Sequence, residues 1–437
     1  MDSFVIEGGR DLHGTITISG SKNASLPLMA GALLTDGEIA LSDVPNLRDI
    51  RNMIGLLEEL GCAVSHDIES PARQMKICVQ STKPSHARYE IVRTMRASIC
   101  ALGPMLARRG YARISMPGGC AIGDRPIDLH LRGLRELGAD IHLDAGDIVA
   151  TAKRLAGATI FLGGPFGSTV LGTANVMSAA TLAHGVTVIE CAACEPEIVE
   201  LANLLNAMGA NIRGAGTPRV TIEGVKELGG AEHRVMPDRI EAGTYLIAGA
   251  MTHSDLTIGN CPIDCLLSLE DRLKGCGVGV HCENGTRTTE RATVEVKGAD
   301  VRALRPVQVT TQPYPGFPTD LQAQLMSMLC LADGISVVTE KIYPERFLHV
   351  AELSRMGARL YRQGPTVVVH GVKQLIGAPV MASDLRASAC LVLAGLAAEG
   401  TTNVNRVYHL DRGYENMEEK LNAVGAKIRR VDEGEVS

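Results

Sequence analysis

The sequence predicts an α/β (α+β) fold of two similar domains, each assembled from three copies of one helix-and-strand unit. Three observations carry that expectation: the length, the composition, and a motif that recurs six times. A chain of 437 residues is too long for one ordinary core, and a split into two domains of about 200 residues suits it better. Hydrophobic residues make up 45% of the chain, yet aromatics are only 3% and Trp is absent. Small aliphatics and 47 glycines therefore carry the packing, which fits many short elements joined by tight turns.

Each copy of the motif is an apolar helical stretch that ends in Gly-Ala or a close variant and turns into a strand. The six read GLLEELGCAV, GLRELGADIHL, LLNAMGANI, RLKGCGVGV, ELSRMGARL and KLNAVGAKI. Leucines three and four positions apart give one apolar face. Gly61, Gly138, Gly209, Gly277, Gly357 and Gly425 stand where a left-handed residue caps a helix. Another apolar helix precedes each, ending at Gly37, Gly110, Gly185, Ser254, Gly334 and Gly400, 23 to 28 residues earlier. The unit legible from the residues is thus helix, strand, helix, strand, repeated at roughly 70-residue intervals. No low-complexity linker interrupts the series.

Composition also excludes function classes. A net charge of −6 argues against general nucleic-acid binding. No apolar run approaches the roughly 18 residues of a membrane span, and the start, MDSFVIEGGRDLHG, lacks a basic region followed by an apolar stretch. A cytoplasmic protein without membrane association is expected. The 12 cysteines, scattered through helical and strand patterns, fit reduced thiols rather than a disulfide framework. Cys191 with Cys194, and Cys261 with Cys265, look like half-sites for zinc or a redox pair, but the second spacing is poor and no redox-fold pattern surrounds the first. No His-Glu-x-x-His, no Gly-x-Gly-x-x-Gly after a strand and no Gly-Lys-Ser or Gly-Lys-Thr occurs, so neither a metal nor an organic cofactor is expected.

The repeat aligns polar residues that otherwise look unrelated. Asn23, Arg96, Asp320 and Arg386 each lie 14 positions before a turn residue, at the start of a first helix, and Arg96 and Arg386 share the tripeptide Arg-Ala-Ser. If the copies surround an approximate axis these helix starts converge, and with Lys22 they make an anion site. The residues alone leave open a plainer role, in which Asp384, Thr319 and Asp320 are helix caps and the arginines are solvated. The Gly- and Pro-rich stretch MPGGCAIGDRPIDLH, residues 116–130, places the thiol of Cys120 five residues from Arg125, an environment that suits a nucleophile or proton donor. A lone loop cysteine is as readily inert. Arg346 and Arg412 each precede a helix and, taken singly, read as surface arginines.

These segments together resemble one family. ISGSKNASLPL, TMRASICALGP, PGGCAIGDRPIDLH, PDRIEAGTYL, PGFPTDLQAQ, ERFLHVAELSRMGA, SDLRASACLVLAGLAAEGTT and YHLDRGYENMEEKL match, in order and over the whole length, the enolpyruvyl transferases, in the branch that uses UDP-N-acetylglucosamine. The resemblance implies two domains of three βαβαββ units each, an inside-out α/β barrel with the active site in the cleft between domains. The first domain interrupts the second, giving 22–235 as one and 1–21 plus 236–437 as the other.

By resemblance, the protein transfers the enolpyruvyl group of phosphoenolpyruvate to the 3-hydroxyl of UDP-N-acetylglucosamine with release of phosphate, the first committed step of cell-wall peptidoglycan synthesis and the target of fosfomycin. Lys22 and Asn23 match the phosphoenolpyruvate pair. Arg96, Arg125, Arg386 and Arg412 match arginines that hold phosphate and carboxylate groups, and Arg346 matches a further site arginine. Cys120 matches the proton-donating loop cysteine, and Asp320 the base at the acceptor hydroxyl. Arg125, Pro126, Ile127, Asp128 and Leu129 match the uridine segment, and Thr169, Val170, Asp320 and Ile342 match other nucleotide-sugar contacts. Three departures bear on the acceptor. Gly167-Ser168-Thr169-Val170-Leu171 stands where the family usually has Lys-Val-Ser-Val-Gly, Cys194 replaces an Arg, and Asp124 precedes Arg125. They leave open a paralogue acting on another nucleotide or sugar. The shikimate-using sister enzyme lacks the cysteine loop, and a non-catalytic binding paralogue would not need Lys22, Cys120, Asp320 and Arg412 together.

Overall fold

The computed structural model describes residues 2–116, 127–283, 291–298 and 303–432. They fall into two compact units, one made from 2–19 and the described residues from 237 onward, the other from 20–116 and 127–236.

Every four-stranded sheet has the same pattern. A short edge strand runs parallel to a second, the second antiparallel to a third, and the third antiparallel to the fourth. In the unit beginning at Gly20 the sheets run Ala231–Arg234, Ile39–Ser42, Met75–Val79, Cys62–His66; His86–Ala87, Tyr111–Ser115, Asp147–Thr151, Asp140–Asp144; and Thr159–Phe161, Val186–Glu190, Arg219–Glu223, Asn211–Arg213. In the other they run Gly14–Thr17, Asp255–Cys261, Ala292–Lys297, Gly279–Cys282; Gln308–Thr310, Ile335–Thr339, Thr366–His370, Arg359–Gln363; and Pro379–Met381, Thr401–Asn405, Asp2–Glu7, Lys427–Asp432. Asp2–Glu7 therefore lies inside a sheet whose other strands follow residue 378, and Gly14–Thr17 edges another.

Among the described residues each copy thus matches a sheet of four strands, where the residue pattern shows two. The parallel edge strands are only two to four residues long, too short for alternation to register. In five of the sheets the third strand returns from a hairpin, so no helix-capping glycine announces it; in the sixth it is Asp2–Glu7, from the start of the chain. The glycines that do announce strands behave as expected: all six that end the second helices are left-handed, with φ from 87° to 107°. Gly37 is needed for a different reason, since a Cβ there would stand 2.2 Å from the Gly230 nitrogen.

Three helices in each unit are buried on nearly every side. They are Lys22–Gly31, Leu102–Arg109 and Val170–Ala180 in one, and Arg239–Met251, Gln322–Leu329 and Leu385–Ala397 in the other. A helix without a polar face has to sit at a centre, and within each unit these helices pack on one another. The second helix of a copy is more amphipathic, as in Arg48–Glu59, and lies farther out, with its polar side exposed. Among the described residues the sheets stay separate and no hydrogen-bonded barrel closes, so the expected barrel is an arrangement of sheets outside buried helices.

Candidate active site

The convergence of helix starts is realised in the unit that holds residues 237–432. Pro318 leads into a one-turn helix, Thr319–Leu321, with no side-chain cap, which leaves the Asp320 carboxylate available. Arg386 is the second residue of Leu385–Ala397, whose cap is Asp384: its Oδ1 accepts from Arg386 N at 2.9 Å and Ala387 N at 3.1 Å. Asp384 is therefore a cap, as the plainer reading has it, while Thr319 and Asp320 are not.

Asp320 is held by two arginines from different parts of the chain. Arg346 Nη1 donates to Oδ1 at 2.7 Å, and Arg386 Nη2 donates to Oδ2 at 2.8 Å. The guanidinium side chains are 8% and 4% exposed and the carboxylate side chain 27%, so the acid is the member of the set open to solvent. Burial alone would raise the Asp320 carboxyl, but the charges of Arg386 and Arg346, with their hydrogen bonds, hold it well below the usual carboxylate range. The Arg386 guanidinium also lies 5.5 Å from the centre of the Tyr414 ring. Tyr414 Oη accepts from Gln324 Nε2 at 3.0 Å, and the same Nε2 donates to the Asp320 carbonyl at 2.9 Å. Ile342 lies on the turn before Arg346, and Arg412 ends the short helix Val407–Arg412, half-buried.

In the unit of residues 20–236, Ser21 caps Lys22–Gly31 by accepting from Ala24 N at 3.2 Å, which puts Lys22 and Asn23 in its first turn. Lys22 Nζ lies 3.4 Å from Asp49 Oδ2, both side chains nearly buried. Asp49 is a neighbour of Lys22 that the repeat pattern does not flag, because it reads as an ordinary helix-start acid. Arg96 begins the turn Arg96–Ala101 and neighbours His130, whose ionisation burial, then Arg96, pushes down to about 3. Asn175 fixes that histidine's tautomer. Its Oδ1 accepts from Gly103 N at 2.7 Å, so its Nδ2 donates to Ile99 O and to His130 Nδ1, and the ring proton sits on Nε2. His130 and Asn175 went unmarked in the sequence because only the fold brings them together.

Ile127 precedes the helix Asp128–Glu136 and is buried, Asp128 is exposed, and Leu129 is half-buried. Thr169 caps Val170–Ala180 by accepting from Gly172 N at 3.3 Å, directly after the small hairpin Gly163–Gly164 with Gly167–Ser168. The Cys194 thiol is pushed up by burial, with Glu195 and Cys191 adding to the shift, and stays neutral. Cys120, Arg125 and Pro126 lie outside the described residues. Among the described residues no group of three or more His, Cys, Asp or Glu side chains could hold a metal ion, and no helix is long and apolar enough to cross a membrane.

Residues 6–421 match the family EPSP synthase (3-phosphoshikimate 1-carboxyvinyltransferase). The UDP-N-acetylglucosamine 1-carboxyvinyltransferase of Methylacidiphilum infernorum (isolate V4) is 52% identical over 432 residues, covering 99% of each chain. The protein of the same name from Geotalea uraniireducens (strain Rf4) is 52% identical over 433 residues, covering 99% of this chain and 100% of the relative. Among solved structures, the enolpyruvyl transferase NikO from Streptomyces tendae superposes with a TM-score of 0.87 at 25% identity, over 98% of this chain and 99% of that one.

Proposed function

This chain belongs to the EPSP synthase family, and from that premise we propose that it transfers the enolpyruvyl group of phosphoenolpyruvate to the 3-hydroxyl of UDP-N-acetylglucosamine, releasing phosphate. The relatives that share about half of its residues over their full length carry that activity in their name. The observation that carries the reading is the carboxylate of Asp320 held between Arg346 and Arg386. A base at the acceptor hydroxyl and cations for anionic substrates are what this chemistry requires.

In this reading the chain comprises two domains, 22–235 and 1–21 with 236–437. Lys22, Asn23, Arg125, Arg386 and Arg412 take the phosphate and carboxylate of phosphoenolpyruvate. Arg96, residues 125–129, Thr169, Val170, Ile342 and Arg346 take the nucleotide sugar. Cys120 adds a proton to the methylene carbon and gives the neighbouring carbon positive character. The sugar hydroxyl attacks that carbon and passes its proton to Asp320. Return of a proton from the new methyl group to the Cys120 thiolate, and departure of phosphate with the proton held by Asp320, then leave the enol ether, so atoms and charge balance without a redox or metal step. With its charge neutralised by two guanidiniums, Asp320 is a weak base. Substrate anions that claim the same guanidinium hydrogens would release it and raise its proton affinity. The setting is the cytoplasm, since substrates carrying together about five negative charges do not cross a bilayer.

The departures at residues 167–171 and Cys194 favour one second reading, an enolpyruvyl transfer to a different nucleotide or nucleotide sugar. Phosphate release from phosphoenolpyruvate decides between them when measured with UDP-N-acetylglucosamine, other UDP sugars, UMP and shikimate. Turnover with UDP-N-acetylglucosamine above all others supports the first reading. Preference for another acceptor supports the second, and no turnover with any acceptor points to a binding paralogue.

A further inference from the structure

We infer that Glu340 is a positioning residue for Arg346 and Asp320, acting through the Thr319 hydroxyl; the inference rests on the enolpyruvyl-transfer reading above. Glu340 follows the strand Ile335–Thr339 and is 0% exposed. A carboxylate so buried is costly unless every lone pair finds a donor, and here both oxygens do. Oε1 accepts from Ile342 N at 2.8 Å, Tyr343 N at 3.0 Å and Thr311 Oγ1 at 2.6 Å. Oε2 accepts from Thr319 Oγ1 at 2.9 Å.

The Thr319 contact reaches the site. A hydroxyl has one proton, and Thr319 gives it to Glu340, so its lone pairs face the other way. There Arg346 Nη1 donates to Thr319 Oγ1 at 3.0 Å, and the same nitrogen donates its second hydrogen to Asp320 Oδ1 at 2.7 Å. The direction of the relay is set by Glu340: carboxylate, hydroxyl, guanidinium, carboxylate. The Oε1 contacts act on the same arginine from its backbone side. They fix the turn through Ile342 and Tyr343, whose carbonyl at Tyr343 accepts from Arg346 N at 2.9 Å. One buried acid therefore sets both where Arg346 starts and how its fork meets Asp320. A purely structural acid on this turn would need only the Oε1 half.

The two halves can be separated. In Glu340→Gln the amide oxygen can keep the Ile342, Tyr343 and Thr311 donors, but the amide nitrogen cannot accept from Thr319, whose proton is then turned toward Arg346. With phosphoenolpyruvate and UDP-N-acetylglucosamine, kcat is expected to fall about 10- to 100-fold, while KM for the nucleotide sugar, which Arg346 also holds, rises by a smaller factor of about two to five. Thr319→Val should lose a similar factor, Thr319→Ser should restore most of it, and the Glu340→Gln/Thr319→Val double variant should be no slower than the slower single one. Thr319→Val decides the matter if Glu340→Gln does not fold. Unchanged kcat in the folded variants, a rise in KM alone, or additive losses would overturn the inference while wild-type turnover kept the functional reading intact. A wild type inactive with this substrate pair would remove the functional reading, and the inference with it.

Discussion

Replacing Asp320 by Asn keeps the side-chain shape and removes the charge from between two guanidiniums. The donors stand 2.7 and 2.8 Å away, on side chains only 8% and 4% exposed, so the cations left behind cannot turn to water. Breaking a fully buried pair in this way costs about 3–5 kcal/mol, and the 27% exposure of the carboxylate trims that to about 2–3 kcal/mol. For a unit of some 200 residues, at about 2–4 °C per kcal/mol, the melting temperature should drop by about 4–12 °C. The fold survives, because domains of this kind have about 5–15 kcal/mol in hand. Turnover should fall at least about 100-fold through loss of the base. Inorganic phosphate should raise the variant's melting temperature more than the wild type's, since an added anion replaces the missing charge. Thermal melts with and without phosphate, alongside steady-state turnover, read all three effects. A variant with wild-type melting, no added response to phosphate and turnover within about threefold would refute the reasoning.

Two further predictions concern protons and thiols. Burial pushes His130 down to about 3 and His349 to about 4, so the native state refuses protons that the unfolded chain accepts below about pH 6.5. Their contribution to stability is complete above that pH and is lost as pH falls through the window toward the folded values, by up to about 1.4 kcal/mol per pH unit for each histidine. Urea midpoints between about pH 7 and about pH 5 should therefore fall less steeply in His130→Asn than in the wild type, and equal slopes would contradict this. Fosfomycin should label Cys120 in preference to the other eleven cysteines, faster with the nucleotide sugar bound. Burial pushes Cys62 up to about 11 and Cys100, Cys276 and Cys330 up to about 12, which removes those thiols as competitors. Peptide mass spectrometry that finds no adduct, or one spread over several cysteines, would count against it.

Some of this architecture is written locally and some is not. The glycines that cap the second helices are legible because a left-handed residue at a helix end has a chemical requirement of its own. Asp320 and Arg386 are legible as equivalent positions of different copies, and their contact follows from the repetition. The strand pairing of Asp2–Glu7 with Thr401–Asn405 is different, since nothing in either segment names a partner some 400 residues away; only the family resemblance anticipates it. Glu340 is hidden for a similar reason. Within Thr339-Glu340-Lys341 it reads as a solvated charge, and its burial depends on Thr311, Thr319 and backbone amides brought together by the fold. Asn175 shows a third limit, being a polar residue on a helix buried on nearly every side, with partners on three other helical segments.

The measurement that tests the central claim most directly is the structure of the product. The protein would be incubated with phosphoenolpyruvate and UDP-N-acetylglucosamine, and the nucleotide fraction analysed by mass spectrometry and NMR. The account predicts an enol ether on the 3-oxygen of the sugar, formed in step with one phosphate released for each nucleotide sugar consumed. Recovery of unaltered UDP-N-acetylglucosamine from active, folded protein, or an enolpyruvyl group on any other oxygen, would contradict it.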